Sequence, residues 1–137
     1  MRFVRKFQNG EIADVMDIEE YSLPEMKPSY NETLNEFGLT GSPYLIFVTD
    51  DYYKGIYLYC RCVNPGIGNM APHYIDRGGS LFWFHMYEIS PENLLKLPRD
   101  INSTYLIEVD KLDIRSRTGV SGFNLAGCDI LSVREIK

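Results

Sequence analysis

The chain contains only two histidines, and these are the first candidates for acid–base chemistry. His73 lies close to Asp76 and Arg77, which provides a proton acceptor, a carboxylate to orient it and a cation to stabilise an anionic intermediate. This set suits a small nuclease or another phosphoryl-transfer enzyme. His85 would complete a two-histidine pair if the fold brought it beside His73. The alternative is that His73 is a solvated loop residue and His85 a hydrogen-bonded core histidine.

The segment 11–36 carries eight acidic side chains and one lysine, so its charge of −7 exceeds the net −5 of the whole chain. Carboxylates steer a basic partner towards a surface, and buried tyrosines hold it there. We expect partner contacts at Glu11, Asp14, Asp17, Glu19, Glu20, Tyr21 and Glu25, with a smaller patch at Asp50, Asp51, Tyr52 and Tyr53. The alternative is a solvated acidic face that only keeps the protein in solution.

Cys60 and Cys62 are two residues apart and invite interpretation as metal ligands, with His73, His85 or Cys128 completing the set. A structural zinc site normally adds a second closely spaced ligand pair, and the sequence has none. We therefore expect buried thiols and no metal. No cofactor is predicted either, because the chain has no phosphate-binding glycine motif.

Charge and hydropathy narrow the possible partners. An acidic chain without a basic face is a poor binder of phosphates, so no direct contact with nucleic acid is expected. No apolar run reaches the length that crosses a membrane, and the basic start has no apolar stretch typical of a secretion signal. Three cysteines fit reduced thiols better than a disulfide framework. These features predict a cytoplasmic protein with no membrane contact.

The hydrophobic pattern predicts an α+β fold in a single domain, 1–137. We expect a mainly antiparallel sheet of about six or seven strands, open or curled into a half-barrel, with two short helices. The predicted strands are 2–7, 44–49, 56–63, 80–89, 104–110 and 128–136, and the helices are 30–37 and a turn or two after Ser90-Pro91. Residues 12–18 have roughly helical spacing, whereas the Gly-rich stretches 64–79 and 119–127 are predicted loops.

Two functions from different classes follow. The first is a small acidic intracellular protein-binding module, a stoichiometric inhibitor whose carboxylates occupy the cationic cleft of a basic partner such as a nuclease toxin. Bacterial immunity proteins and antitoxins share this general character, although no motif here identifies a family. The second is a small enzyme of the nuclease or phosphoryl-transfer type that uses the loop around His73.

Overall fold

The computed structural model describes residues 2–6, 11–18, 47–49, 56–110, 112–116 and 122–136. These residues form ten strands and one helix. The strands are β1 (Arg2–Lys6), β2 (Ile12–Asp17), β3 (Phe47–Thr49), β4 (Ile56–Asn64), β5 (His73–Asp76), β6 (Leu81–Phe84), β7 (Thr104–Asp110), β8 (Asp113–Ser116), β9 (Phe123–Ala126) and β10 (Asp129–Ile136), and the helix α1 is Pro91–Lys96. The predicted sheet-rich fold with few helices is confirmed. No helix among the described residues is long and apolar enough to cross a membrane.

Strand β4 is the hub of the sheet. One edge of β4 pairs with β7, which in turn pairs with β10. The other edge is shared, because β3 pairs with its first residues and β5 with its last. From β3 the sheet continues through β1 to β2, and from β5 it continues through β6 and β9 to β8. The sheet is mixed because β6 and β9 run parallel.

Hydrophobic side chains cover both faces of β4. Alternate residues Ile56, Leu58, Cys60 and Cys62 face the main core, as their spacing predicts. Tyr57 faces the opposite side and belongs to a second cluster. The other buried members of this second cluster are Phe3, Met16, Phe47 and Leu106. Burial of each large apolar side chain contributes about 1.5–3 kcal/mol, so both clusters hold the branched sheet together.

The predicted helix start at Ser90-Pro91 is confirmed. The Ser90 hydroxyl accepts a hydrogen bond from the Asn93 backbone N–H at 3.1 Å, and Pro91 occupies the first turn, where its missing N–H is not needed. The helix ends at Lys96, two residues before Pro98. The other predicted helix, 30–37, lies outside the described residues.

Three local predictions are wrong. Residues 12–17 form β2 rather than a helix, because β1 offers a pairing edge along which Phe3 lies opposite Met16. The predicted loop 64–79 contains β5, and the predicted loop 119–127 contains β9. These short strands lie among glycines and have weak local signals, so the neighbouring strands supply most of their stability.

The predicted strand 80–89 is shorter than expected. It pairs as β6 over Leu81–Phe84, between β5 and β9, and is therefore flanked on both edges as its apolar composition indicates. The chain then turns, because the backbone N–H groups of Glu88 and Ile89 donate to the carbonyl oxygen of His85.

Candidate functional site

A surface cavity of about 280 Å³ lies where β5, β6 and β9 meet the turn after β6. Both histidines of the chain line this cavity. The lining residues are Met70, Ala71, His73, Trp83, Phe84, His85, Met86, Tyr87 and Asn124.

Strand register positions the centre of the cavity. His73 on β5 lies opposite Trp83 on β6, and Trp83 lies beside Asn124 on β9. Side chains alternate between the faces of a strand, so this row projects away from the main core that contains Phe82 and Leu125. The ring centroids of His73 and Trp83 are 5.3 Å apart, with 34° between the ring planes.

His85 reaches the same cavity from the end of β6, two residues after Trp83. Its backbone N–H donates to the carbonyl oxygen of Leu125 at 2.7 Å, which extends the contact with β9. The backbone N–H of Tyr87 donates to His85 Nδ1 at 3.3 Å. In the neutral imidazole, an acceptor at Nδ1 leaves the proton on Nε2, so His85 presents an N–H donor there.

Asn124 gives the cavity a buried polar group. The residue is 9% exposed, and its Oδ1 atom accepts no hydrogen bond from any described residue. A buried acceptor without a donor costs roughly 1–3 kcal/mol.

Gly122 sets the position of the indole. A Cβ atom at this residue would lie 2.6 Å from Trp83 Cζ3, closer than real contacts allow. Its φ of +140° also favours glycine over other residues. The indole of Trp83 therefore packs against bare backbone.

The loop wall of the cavity is held by Arg99. Its Nη1 donates to the carbonyl oxygen of Pro65 and to that of Met70, the latter at 3.1 Å. Gly66 allows the close turn, because a Cβ there would lie 2.7 Å from the Met70 carbonyl oxygen. Through these bonds a residue outside the cavity fixes the chain that carries Met70 and Ala71.

The other two members of the predicted catalytic set lie elsewhere. Asp76 faces the opposite side of β5 from His73, and its Oδ1 accepts from the backbone N–H groups of Gly78 at 2.9 Å and Ser80 at 2.8 Å. Burial raises the pKa of this carboxyl, although those backbone donors act against the rise. Arg77 Nε lies 3.2 Å from Asp14 Oδ2, and its guanidinium lies over the Tyr59 ring. The fold thus brings His73 and His85 to one cavity and directs Asp76 and Arg77 away from it.

Three of the acidic residues predicted to bind a partner are described. Glu11 and Asp17 are exposed at the two ends of β2, and Asp14 is partly covered in its ion pair with Arg77. The remaining predicted residues lie outside the described part of the chain: Glu19, Glu20, Tyr21, Glu25, Asp50, Asp51, Tyr52 and Tyr53.

The three cysteines are buried, and none forms a disulfide bond. Burial raises the pKa of the Cys60 thiol and raises that of Cys128 to about 12, so these sulfurs stay protonated and unreactive at neutral pH. Within the described ranges, no three His, Cys, Asp or Glu side chains come close enough together to hold a metal ion.

Neither the known protein-family models, nor the curated proteins, nor the solved structures give a match to this chain.

Proposed function

We propose that this protein binds a small molecule in the cavity between His73, His85 and Asn124. The observation that carries the proposal is the convergence of both imidazoles and the Asn124 residue on one cavity. Small-molecule sites are typically apolar concavities with a few convergent polar groups. This cavity has that composition, with aromatic and methionine side chains around one amide and two imidazoles.

Two imidazoles in one cavity could also catalyse a reaction of the bound molecule. One histidine can accept a proton while the other donates one, which is the chemistry of the small phosphoryl-transfer enzyme considered from the sequence. In this version of the proposal Arg77 has no role, because its guanidinium is held by Asp14 outside the cavity.

Trp83 is the only tryptophan in the chain, so its indole N–H signal in an NMR spectrum reports directly on the cavity. We expect ligands from a library of small polar aromatic compounds to shift this signal together with the ring signals of His73 and His85. The variant Asn124→Ala should weaken binding, whereas Asn102→Ala, at an exposed asparagine, should leave it unchanged. A library that shifts none of these ring signals would refute the proposal.

A second proposal is the intracellular inhibitor of a basic protein. The observation that favours it is strand β2, whose two ends carry the exposed carboxylates of Glu11 and Asp17 around the exposed side chain of Ile12. Among the described strands β2 pairs only with β1, so no described strand occupies its other edge, where a partner strand could pair. Acidic side chains beside an apolar contact are suited to a basic, strand-presenting partner.

Association kinetics test this second proposal. A basic protein captured with the chain as bait should associate more slowly as salt rises, because charges are screened within about 8 Å at physiological ionic strength. The double variant Glu11→Lys, Asp17→Lys should reduce the association rate by about tenfold or more. The variant Glu92→Lys changes an exposed carboxylate on α1 and serves as the control. An association rate that neither salt nor the double variant changes would exclude this surface.

A further inference from the structure

Exposed hydrophobic side chains surround the mouth of the cavity that both histidines line. Met70 is 55% exposed, Met86 50% and Tyr87 85%, and all three line this cavity. They are three of the nine large hydrophobic residues that are exposed in the described part of the chain. A fourth, Ile67, lies in the same turn as Met70, whose backbone N–H donates to the Ile67 carbonyl oxygen at 3.2 Å. Exposed apolar side chains gathered around one concavity are typical of a binding groove.

The floor of the cavity is apolar as well. Trp83 and Ala71 line it and are less than a tenth exposed. The indole of Trp83 lies against the backbone of Gly122 and beside the ring of His73. A molecule seated on this floor therefore removes apolar surface of the floor and of the exposed rim from water together.

The charges around the cavity restrict the ligand. The described residues that line the cavity include no lysine, arginine, aspartate or glutamate. Glu88, which follows Tyr87 in the chain, has its own partner, because Arg115 Nη1 lies 3.2 Å from its Oε2. A charged group that leaves water without an opposite charge beside it is costly to bury. An uncharged ligand is therefore favoured.

The side chains of the cavity favour an aromatic ligand over an aliphatic one. Thioether sulfurs make favourable contacts with aromatic rings, and the flexible methionine side chain adapts to the shape of its partner. Pairs of aromatic rings also gain energy beyond the burial of their area. Met70 and Met86 supply the sulfurs, and Trp83 and Tyr87 supply the rings. A volume of about 280 Å³, close to the lower limit of roughly 300 Å³ for small-molecule pockets, suits one ring or two fused rings.

We infer that the cavity binds an uncharged, hydrophobic aromatic compound of one ring or two fused rings. This inference rests on the proposed ligand-binding function. In the complex the ligand lies on the floor at Trp83, and Met70, Met86 and Tyr87 contact the part of it that faces the mouth.

The first experiment compares small molecules of similar size at pH 8, where a free imidazole is neutral. Benzyl alcohol is compared with benzoate, benzylammonium and cyclohexylmethanol, and naphthol serves as the probe with two fused rings. Binding is measured by titration of the Trp83 indole signal. We expect benzyl alcohol to bind at least about tenfold more tightly than either ion and about threefold more tightly than cyclohexylmethanol.

The second experiment uses rim variants, which remove exposed side chains and so leave the core intact. Met86→Ala and Tyr87→Ala should each weaken the binding of benzyl alcohol about threefold or more, and the midpoint of urea denaturation should not change. Leu95→Ala and Ile101→Ala are the matched controls, because these side chains are 87% and 49% exposed and lie outside the cavity. Both controls should keep the full affinity.

The outcomes separate this inference from the proposed function. A benzoate or benzylammonium ion that binds as tightly as benzyl alcohol would overturn the uncharged character of the ligand, and equal binding of cyclohexylmethanol would overturn its aromatic character. Unchanged affinity in both rim variants would overturn the role of the rim. If neither benzyl alcohol nor naphthol binds while another compound shifts the Trp83 signal, the ligand class is wrong and small-molecule binding stands. If no compound shifts that signal, both the inference and the proposed function fail.

Discussion

Two buried asparagines, Asn93 and Asn124, have opposite environments. Both are less than a tenth exposed, at 8% and 9%. Asn93 joins helix α1 to β10, where its Oδ1 accepts from the Ile130 backbone N–H at 3.1 Å and its Nδ2 donates to Asp129 Oδ1 at 3.3 Å. Asn124 lines the cavity, and its Oδ1 accepts from none of the residues that the structure describes.

The difference separates a structural polar group from a candidate functional one. A buried amide with several internal partners lowers the free energy of the folded chain, and its bonds fix the relative position of two elements. A buried acceptor that lacks a donor raises that free energy.

The largest expected effect tests this contrast directly. Asn93→Ala should lower the free energy of unfolding by about 3 kcal/mol, since the Ile130 N–H loses its acceptor inside the core. Asn124→Ala should change the same quantity by less than about 1 kcal/mol, because no bond to a described residue is lost at Oδ1. Urea denaturation of both variants measures the difference. Similar losses would show that Asn124 is a structural residue too.

Gly122→Ala should have the next largest effect. The added Cβ collides with Trp83, and overpacking of this kind costs about 1–3 kcal/mol. The indole must move, so its fluorescence maximum and its ligand-induced shift should both change. Gly68→Ala is the matched control, because Gly68 also has positive φ while a Cβ there would meet nothing within 4 Å. If Gly122→Ala impairs ligand binding and Gly68→Ala does not, ligand binding depends on the position of the Trp83 indole.

The sequence could predict the elements that have strong local patterns. Alternation over 56–63 correctly placed Cys60 and Cys62 in the core, and the Ser90-Pro91 pair correctly predicted the start of α1. β2 was predicted with the wrong periodicity, because apolar residues at 12, 15, 16 and 18 fit a helix locally and only the edge of β1 makes them a strand. Local sequence pattern was enough to predict the strand 56–63 and the start of α1, whereas β2 is determined by its pairing with β1.

The candidate site depends on pairings that local pattern does not contain. The sequence raised His73 and His85 as a pair, but their approach depends on the antiparallel register of β5 with β6. Asn124 was not singled out, although a polar residue inside the apolar run 123–126 is a signal that a buried amide lies there. Its position beside Trp83 comes from the parallel pairing of β6 with β9, which are separated by 38 residues of sequence. Proximity in sequence also suggested Asp76 as a partner of His73, and strand alternation places them on opposite faces.

Glu108 is an intermediate case, a buried carboxylate with donors that do not fully offset its burial. Ser132 Oγ and the Tyr57 hydroxyl donate to it at 3.2 Å and 3.3 Å, yet burial raises the pKa of Glu108 above its ordinary 4.5. A carboxyl with a raised folded-state pKa stabilises the fold below about pH 4.5, and this contribution is lost as pH rises through the folded-state value. When pH rises from 4 to 7, the free energy of unfolding should therefore fall less in Glu108→Gln than in the unaltered chain. We expect this difference to be smaller than the effect of Gly122→Ala.

Denaturation curves at the two pH values measure this effect, with Glu92→Gln as the control for removal of one exposed carboxylate. An unaltered pH dependence in Glu108→Gln would mean that Glu108 is solvated well enough to ionise freely. That result would place it with Asn93, among the polar groups that the fold satisfies.

The smallest expected effect concerns Arg77, which is four residues after His73 and has internal partners of its own. Its ion pair with Asp14 is partly exposed, and such pairs contribute about 0–1 kcal/mol, so Arg77→Ala should lower stability only slightly. Arg115→Ala is the matched stability control, because that guanidinium is also partly exposed and paired, at 3.2 Å from Glu88. We expect Arg77→Ala to leave the affinity for cavity ligands unchanged, as measured by calorimetry. A tenfold loss of affinity would mean that Arg77 can leave Asp14 and reach the ligand, and the catalytic set predicted from the sequence would then be restored with Arg77 beside His73.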